Sequence, residues 1–215
     1  AGQIPRSIGL ALASKLYRNI DSEIKNKFTK GGNEICWANI GNASTSQGIF
    51  FEAMNAAAVL QIPLVMSVWD DGYGISVDNK IQTVKSSISE ALLGFSSKND
   101  DKPLKIFRVN GWDYIEMVRV YSEAEKIARK NHTPVLIHVD ELTQPLGHSS
   151  SGSHQRYKSE ERLNWEKEFD CNLKFKQWII ESNLGTQGEL QAIEDSCIKI
   201  VRESKIKAWD SYQKP

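Results

Sequence analysis

The sequence predicts an α/β fold, in which a doubly wound, mostly parallel sheet has helices on both faces and a helical C-terminal extension. Short apolar, β-branched runs alternate with longer stretches whose apolar residues recur at helical spacing. Such runs are typical of parallel strands, because helices cover both sides of the sheet. The 215 residues can bury a core. We expect one domain over residues 1–215, truncated at its N-terminal side, with 158–215 as its helical C-terminal part.

The first third of the chain predicts a helix followed by one βαβ unit. Pro5 suits a first helical turn, and apolar residues recur at helical spacing from there to about Tyr17. Residues 34–40 then resemble a short strand and residues 50–60 a helix. The second strand of the unit is predicted over residues 64–69, where every side chain but one is apolar.

The same alternation continues after a polar stretch and predicts the rest of the sheet. The predicted elements are a Ser-rich helix over 83–95, a strand over 104–109, a helix over 114–130, a strand over 134–139, a long loop over 144–157 and three amphipathic helices from Ser159 onwards.

Composition excludes several classes of function. Lys and Arg total 27, as do Asp and Glu, so the net charge is zero and no basic face for nucleic acid or an anionic membrane is predicted. The longest apolar stretch, residues 56–69, falls short of the roughly 20 residues that a membrane-spanning helix needs. Cys36, Cys171 and Cys197 form no CxxC pair, which argues against a disulfide framework or a zinc site. We therefore expect a cytoplasmic protein, or a mitochondrial matrix protein in a eukaryote.

Two unusual loops follow the first two predicted strands. Residues 41–48 read GNASTSQG, and residues 69–74 read WDDGYG. Ligands of open α/β sheets bind beyond the carboxyl ends of the strands, so both loops are candidates for a binding site. Small residues before a helix let backbone amides approach an anion, and carboxylates beside such a turn suit Mg²⁺ that also contacts phosphate.

The order and spacing of these loops resemble a known signature. Gly41-Asn42-Ala43 and Asp70-Asp71 stand where thiamine diphosphate enzymes carry GDG and, some 25 to 30 residues later, NN. The segment between them resembles the alpha chain of the decarboxylating first component of 2-oxoacid dehydrogenase complexes. Three further segments resemble the same family, namely IPRSIGLALASKLY, RVNGWDYIEM and LGHSSSGSHQRYKSEER.

The resemblance implies a magnesium site made by both loops. Its ligands would be the side chains of Asn42 and Asp71 and the backbone carbonyl of Tyr73. Family members place the acid in the first loop and the amide in the second, so the two side chains have traded places here and the total ligand charge is unchanged. Asp70 adds a carboxylate near the expected diphosphate, or instead braces its turn.

The resemblance also implies how thiamine diphosphate is held. Gly41 opens the phosphate loop, and the amides of Ala43 and Ser44 face phosphate oxygens. His148 aligns with a histidine that lies near the diphosphate and the reacting substrate, so it is the expected catalytic residue. Ser149 aligns with a serine that is phosphorylated in mitochondrial members, but the sequence gives no further sign of regulation and we predict none.

The implied activity is oxidative decarboxylation of a 2-oxoacid such as 2-oxoisovalerate or pyruvate, with acyl transfer to a lipoyl group. The implied partners are a beta subunit, or a beta region of the same enzyme, and a lipoyl-bearing acyltransferase. The isolated chain is expected to be inactive, because the family draws part of its site from upstream residues and from the beta chain. Two alternatives stay open: another thiamine diphosphate enzyme, such as acetoin dehydrogenase or a transketolase-like protein, and a non-catalytic assembly domain that has lost cofactor binding.

Overall fold

A computed structural model describes residues 2–21, 23–96, 104–148 and 153–214 of the chain. Within these residues, four parallel strands form the main sheet, and a two-stranded antiparallel hairpin follows the second of them. The main strands are β1 (Cys36–Gly41), β2 (Leu64–Trp69), β5 (Lys105–Asn110) and β6 (Val135–Asp140), and the hairpin strands are β3 (Tyr73–Gly74) and β4 (Val77–Asp78).

The strand order in the main sheet is β1, β2, β6, β5. One α-helix precedes the first strand, the others lie between the strands or after them, and short 3-10 turns join several of these elements. The helices are α1 (Ile4–Asn19), α2 (Gly48–Leu60), α3 (Asn79–Gln82), α4 (Ile88–Ala91), α5 (Tyr114–Asn131), α6 (Glu160–Glu168), α7 (Cys171–Glu181) and α8 (Gln187–Gln213).

Two apolar clusters form the core, one on each face of the sheet. Neighbouring side chains of a strand point to opposite faces, so β2 supplies Met66 and Val68 to one cluster and Val65 to the other. Residues of α1, α2 and α4 complete the first cluster. The second is completed by α5, through residues such as Val120 and Ala124. The predicted doubly wound, mostly parallel sheet with helices on both faces is therefore confirmed.

The helix predicted over residues 83–95 is wrong as a single element. The backbone at Lys85 and Ser86 is left-handed, with φ of 58° and 55°, which interrupts the helical path. The Ser87 side chain then accepts a hydrogen bond from the Glu90 amide and starts α4 as an N-cap. The segment consequently divides into one turn of α-helix between two 3-10 turns. Serine favours such caps over helix interiors, which explains the error.

The chain divides into two compact units, residues 1–171 and 172–215. The second unit contains most of α7 and all of α8, which starts with a capping box between Thr186 and Glu189. Lys176 of α7 pairs with Glu194 of α8 at 2.8 Å. The assignment of both units to one domain stays a prediction. In the described part of the chain, no helix combines the length and apolar character needed to cross a membrane.

Candidate functional site

The first candidate loop is a 3-10 turn that joins β1 to α2 directly after Gly41. The Thr45 hydroxyl donates a 2.6 Å hydrogen bond to the carbonyl of Asn42, which closes the turn. Asn42 and Thr45 are buried, whereas Ala43 and Ser44 are half-buried. The turn therefore lies at the carboxyl end of β1, where the sequence predicts an anion-binding loop.

The second candidate loop leaves β2 through two consecutive aspartate turns. The Gly72 amide donates to Asp70 Oδ1 at 2.8 Å, and the Tyr73 amide donates to Asp71 Oδ1 at 3.3 Å. Gly72 has φ of +83°, a conformation that glycine adopts without strain. Asp70 thus braces its turn, which is one of the two roles that the sequence left open for it.

The two loops meet through Asn42 and Tyr73. The Asn42 amide group donates a 3.1 Å hydrogen bond from Nδ2 to the Tyr73 carbonyl. The ring of Tyr73 packs against Tyr157, and Lys158 Nζ lies 4.8 Å from its centroid. The structure therefore brings together two of the three predicted magnesium ligands, with the nitrogen of the Asn42 amide facing the carbonyl.

Asp71, the third predicted ligand, carries a buried oxygen in an unusual state. Among the residues that the structure describes, its Oδ2 atom has no hydrogen-bond partner. His148 Nε2 lies 3.5 Å from that oxygen, which is beyond a good hydrogen bond. Burial raises the pKa of Asp71, and the Tyr73 amide together with the electrostatic attraction of His148 and Lys158 offsets this only in part. A buried carboxylate oxygen without a hydrogen-bond donor is a suitable ligand for a cation.

Asp70 is compensated instead by protein groups. Its side chain and that of His138 are each only 1% exposed, and His138 Nε2 lies 2.9 Å from Asp70 Oδ2. Asn79 Nδ2 lies 2.8 and 2.9 Å from the two carboxylate oxygens. The carboxylate is thus held by a buried network and adds no uncompensated charge to the loop.

Sequence reasoning assigned no role in the site to His138, Asn79 or Ser89. His138 Nδ1 bonds to Ser89 Oγ at 2.9 Å, and Asn79 Oδ1 accepts from Asn42 Nδ2 at 3.0 Å. One signal was present, since a histidine inside an otherwise apolar buried strand needs polar partners. Ser149, the aligned phosphorylation position, lies outside the described residues.

Asp140 lies near the buried pair and makes a second cluster of possible metal-binding atoms. One ligand atom each of Asp70, His138 and Asp140 falls within 4.8 Å of the others. Asp140 Oδ2, however, accepts from Arg108 Nε at 2.7 Å, and its Oδ1 accepts from the Glu141 amide. Its charge is already compensated, so we assign no metal to this cluster.

The two loops pack so closely at Gly74 that they leave no space for a side chain there. A Cβ at this position would lie 2.9 Å from the Ala43 methyl group and 2.7 Å from Gln82 Oε1. Gly74→Ala is therefore expected to lower the free energy of unfolding by about 1–3 kcal/mol in urea titrations. Adding Ala43→Gly removes one obstacle and should recover part of the loss. Equal losses in the single and double variants would show that the Ala43 methyl group imposes no constraint.

The family model for the dehydrogenase E1 component matches residues 1–215. The chain belongs to this family. The pyruvate dehydrogenase E1 component subunit alpha of Rickettsia bellii is 28% identical to this E1 chain over 202 residues, which cover 94% of the chain and 55% of that relative. The 2-oxoisovalerate dehydrogenase subunit alpha of Bacillus subtilis is 26% identical over 203 residues, again 94% of this chain and 55% of the relative.

The E1 chain thus spans about half the length of these curated relatives. Among solved structures, a transketolase from Campylobacter jejuni aligns with 64% of the chain and 19% of its own, at a TM-score of 0.46 and 19% identity, a likeness that carries no argument. The family predicted from the sequence is confirmed by the match to the E1 model. Thiamine diphosphate is the cofactor that this family implies.

The donor atoms of the site fit the chemistry of magnesium. Mg²⁺ prefers a few protein oxygens together with phosphate oxygens. Asp71 offers a buried oxygen without a hydrogen-bond partner in the described ranges, and the Tyr73 carbonyl lies on the same loop. Asn42 offers an amide oxygen, although its nitrogen now faces Tyr73. Binding a cation through both Asn42 and Tyr73 thus requires this hydrogen bond to break.

Proposed function

We propose that this E1 chain anchors magnesium and thiamine diphosphate as the alpha component of a 2-oxoacid dehydrogenase, an oxidoreductase. The observation that carries the proposal is the buried Asp71 Oδ2 atom, which no described residue hydrogen-bonds, on the loop that Asn42 joins at Tyr73. A carboxylate in this state is stabilised by a cation, and the site lies at the carboxyl end of a parallel sheet.

In this proposal, Asn42, Asp71 and the Tyr73 carbonyl hold the magnesium ion. The amides of Ala43 and Ser44, in the turn that follows β1, face the phosphate oxygens. Bound thiamine diphosphate supplies the nucleophilic carbon and the electron sink for decarboxylation.

His148 is the proposed catalytic residue of this chain. It lies beside Asp71, with Nε2 3.5 Å from the carboxylate and the side chain about one-third exposed, so it can contact both the diphosphate region and solvent. A histidine in this position can stabilise negative charge that develops near the reacting carbons. Gly41 is exposed at the end of β1 and has no side chain, so it leaves room for the diphosphate.

The names of the relatives support a pyruvate or 2-oxoisovalerate substrate and, because both are called subunit alpha, a further subunit. As partners we propose a beta subunit and a lipoyl-bearing acyltransferase. The beta subunit, or a beta region of the same enzyme, would complete the cofactor site. We therefore expect no carbon dioxide release from this chain alone, and release from one of these two acids once a beta subunit is present.

Binding of the cofactor tests the proposal directly. At thiamine diphosphate concentrations about tenfold above Kd, the Tm is expected to rise by about 3–6 °C with Mg²⁺, and not with EDTA. Thermal unfolding of the chain, alone and together with a beta subunit, measures this shift. Absence of a Mg²⁺-dependent shift in both preparations would contradict the proposal.

One observation favours a second candidate, a non-catalytic assembly domain. The Asn42 side-chain nitrogen donates a hydrogen bond to the Tyr73 carbonyl, so this predicted metal ligand already has a partner within the protein. A domain that no longer binds the cofactor would keep such a bond permanently. The same unfolding measurements distinguish the two functions, because an assembly domain associates with a beta subunit without responding to Mg²⁺ and thiamine diphosphate.

A further inference from the structure

A continuous chain of buried hydrogen bonds runs from α4 to the predicted cation site. It begins at Ser89 Oγ, 2.9 Å from His138 Nδ1, and continues from His138 Nε2 to Asp70 Oδ2, also at 2.9 Å. Ser89, His138 and Asp70 are each at most 4% exposed. Burial excludes these three residues from contact with a substrate. Their hydrogen bonds can therefore affect the site only by positioning other residues.

Asn79 links Asp70 to Asn42, and its orientation fixes which group donates each hydrogen bond. A carboxylate only accepts hydrogen bonds, so Asn79 must direct its NH₂ group at Asp70, where Nδ2 lies 2.8 Å from Oδ1. Its Oδ1 atom then faces Asn42 and needs a donor. Asn42 supplies that donor through Nδ2 at 3.0 Å, and the same NH₂ group reaches the Tyr73 carbonyl at 3.1 Å.

Only one orientation of the Asn42 amide satisfies both neighbours. Turning it would place its oxygen against two acceptors, Asn79 Oδ1 and the Tyr73 carbonyl. An aspartate at position 42 would meet the same two acceptors with a negative charge. The amide at 42 is therefore matched to the acid at 70 through Asn79, which gives a physical reason for both residues.

We propose that Asn79 is a positioning residue that holds the NH₂ group of Asn42 on the Tyr73 carbonyl, where it joins the two ligand-bearing loops in place of a divalent cation. This inference rests on the proposed function in so far as Tyr73 is a cation ligand. Without thiamine diphosphate, Mg²⁺ therefore gains the Asp71 carboxylate but loses the bond from Asn42 to the Tyr73 carbonyl, so its net effect on stability is small. A cation that uses the Tyr73 carbonyl must displace the Asn42 bond.

Thermal unfolding in EDTA and in Mg²⁺, without thiamine diphosphate, tests this inference. We expect Mg²⁺ to move the Tm of the wild-type chain by less than about 1 °C. Asn42→Asp should lower the Tm in EDTA by about 4–8 °C, because two donated bonds are replaced by repulsion. Mg²⁺ should restore most of that loss by neutralising the new carboxylate. Ser14→Ala is the matched control, since it removes a buried hydroxyl group whose one hydrogen is shared between the Gly32 and Glu34 carbonyls, and it should show no response to Mg²⁺.

A double-mutant cycle isolates the role of Asn79. Asn42→Ala and Asn79→Ala should each lower the Tm in EDTA, and together by clearly less than the sum, because both remove the same bond. In Asn79→Ala, the Asn42 side-chain NH₂ should also lose its protection from hydrogen exchange. Additive losses with unchanged protection would overturn the positioning role, as would a wild-type response to Mg²⁺ equal to that of Asn42→Asp. These measurements do not depend on cofactor binding. If the Tm losses of the two variants are non-additive but thiamine diphosphate does not raise the Tm of the wild type, the positioning role holds and the proposed function fails.

Discussion

Replacing Asp70 with alanine is expected to lower the free energy of unfolding by about 3–5 kcal/mol. The carboxylate is the buried acceptor for His138 Nε2, Asn79 Nδ2 and the Gly72 amide, all of which lose their partner at once. Urea unfolding at pH 7 measures the loss. Asp113→Ala is the control, because Asp113 only caps the N-terminus of α5, which predicts a loss of about 1 kcal/mol. Similar losses in both variants would show that the buried network contributes no more than a helix cap.

The same variant predicts a pH dependence. Burial by itself raises the pKa of Asp70, but hydrogen bonds from His138, Gly72 and Asn79 outweigh it and hold the pKa below its ordinary value. A carboxyl group whose pKa is lower in the folded state stabilises the protein above its unfolded pKa, near 3.9, and this contribution is lost as the pH falls through the folded value. The difference between wild type and Asp70→Ala should therefore be full at pH 7 and shrink only below about pH 4. A difference that already shrinks near pH 6 would contradict this.

The fold could be predicted because its signals are local. Every residue of β2 except the last is buried, and the apolar run over these positions predicts a buried strand with the observed bounds. The failure over residues 83–95 is also local in origin. The left-handed residues Lys85 and Ser86 follow from the path of the chain between β4 and α4, which helix periodicity does not report.

The position of the site could be predicted from the sequence, but its buried hydrogen-bond network could not. The rule for parallel sheets places the loops after Gly41 and Trp69 at one edge, and the structure confirms that placement. The pairing of His138 with Asp70 depends on strand register. Val68 lies opposite His138, and Asp70 follows two residues later, so both groups occupy one face of the sheet. A single sequence gives no direct signal for that register, nor for the approach of Asn79 from a separate helix.

Asp71→Asn is expected to change stability and binding in opposite directions. Without a ligand, burial raises the pKa of Asp71 by more than the Tyr73 amide, His148 and Lys158 lower it, and its Oδ2 atom has no hydrogen-bond partner within the described ranges, so the charge is unfavourable there. An amide keeps the oxygen that accepts from Tyr73 and removes the charge. We therefore expect the variant to be more stable than the wild type by about 1–2 kcal/mol without ligand.

The Mg²⁺-dependent thiamine diphosphate shift should, in contrast, be lost, with affinity reduced by more than about 100-fold, since the only charged ligand of the proposed cation is removed. Asp78→Asn is the matched control, because Asp78 caps α3 and asparagine caps equally well, so both quantities should stay unchanged. A protein that gains stability when it loses one carboxylate keeps that carboxylate for a ligand. If Asp71→Asn instead weakens the ligand-free protein and leaves the cofactor shift intact, Asp71 is a structural residue and the cation must be held elsewhere.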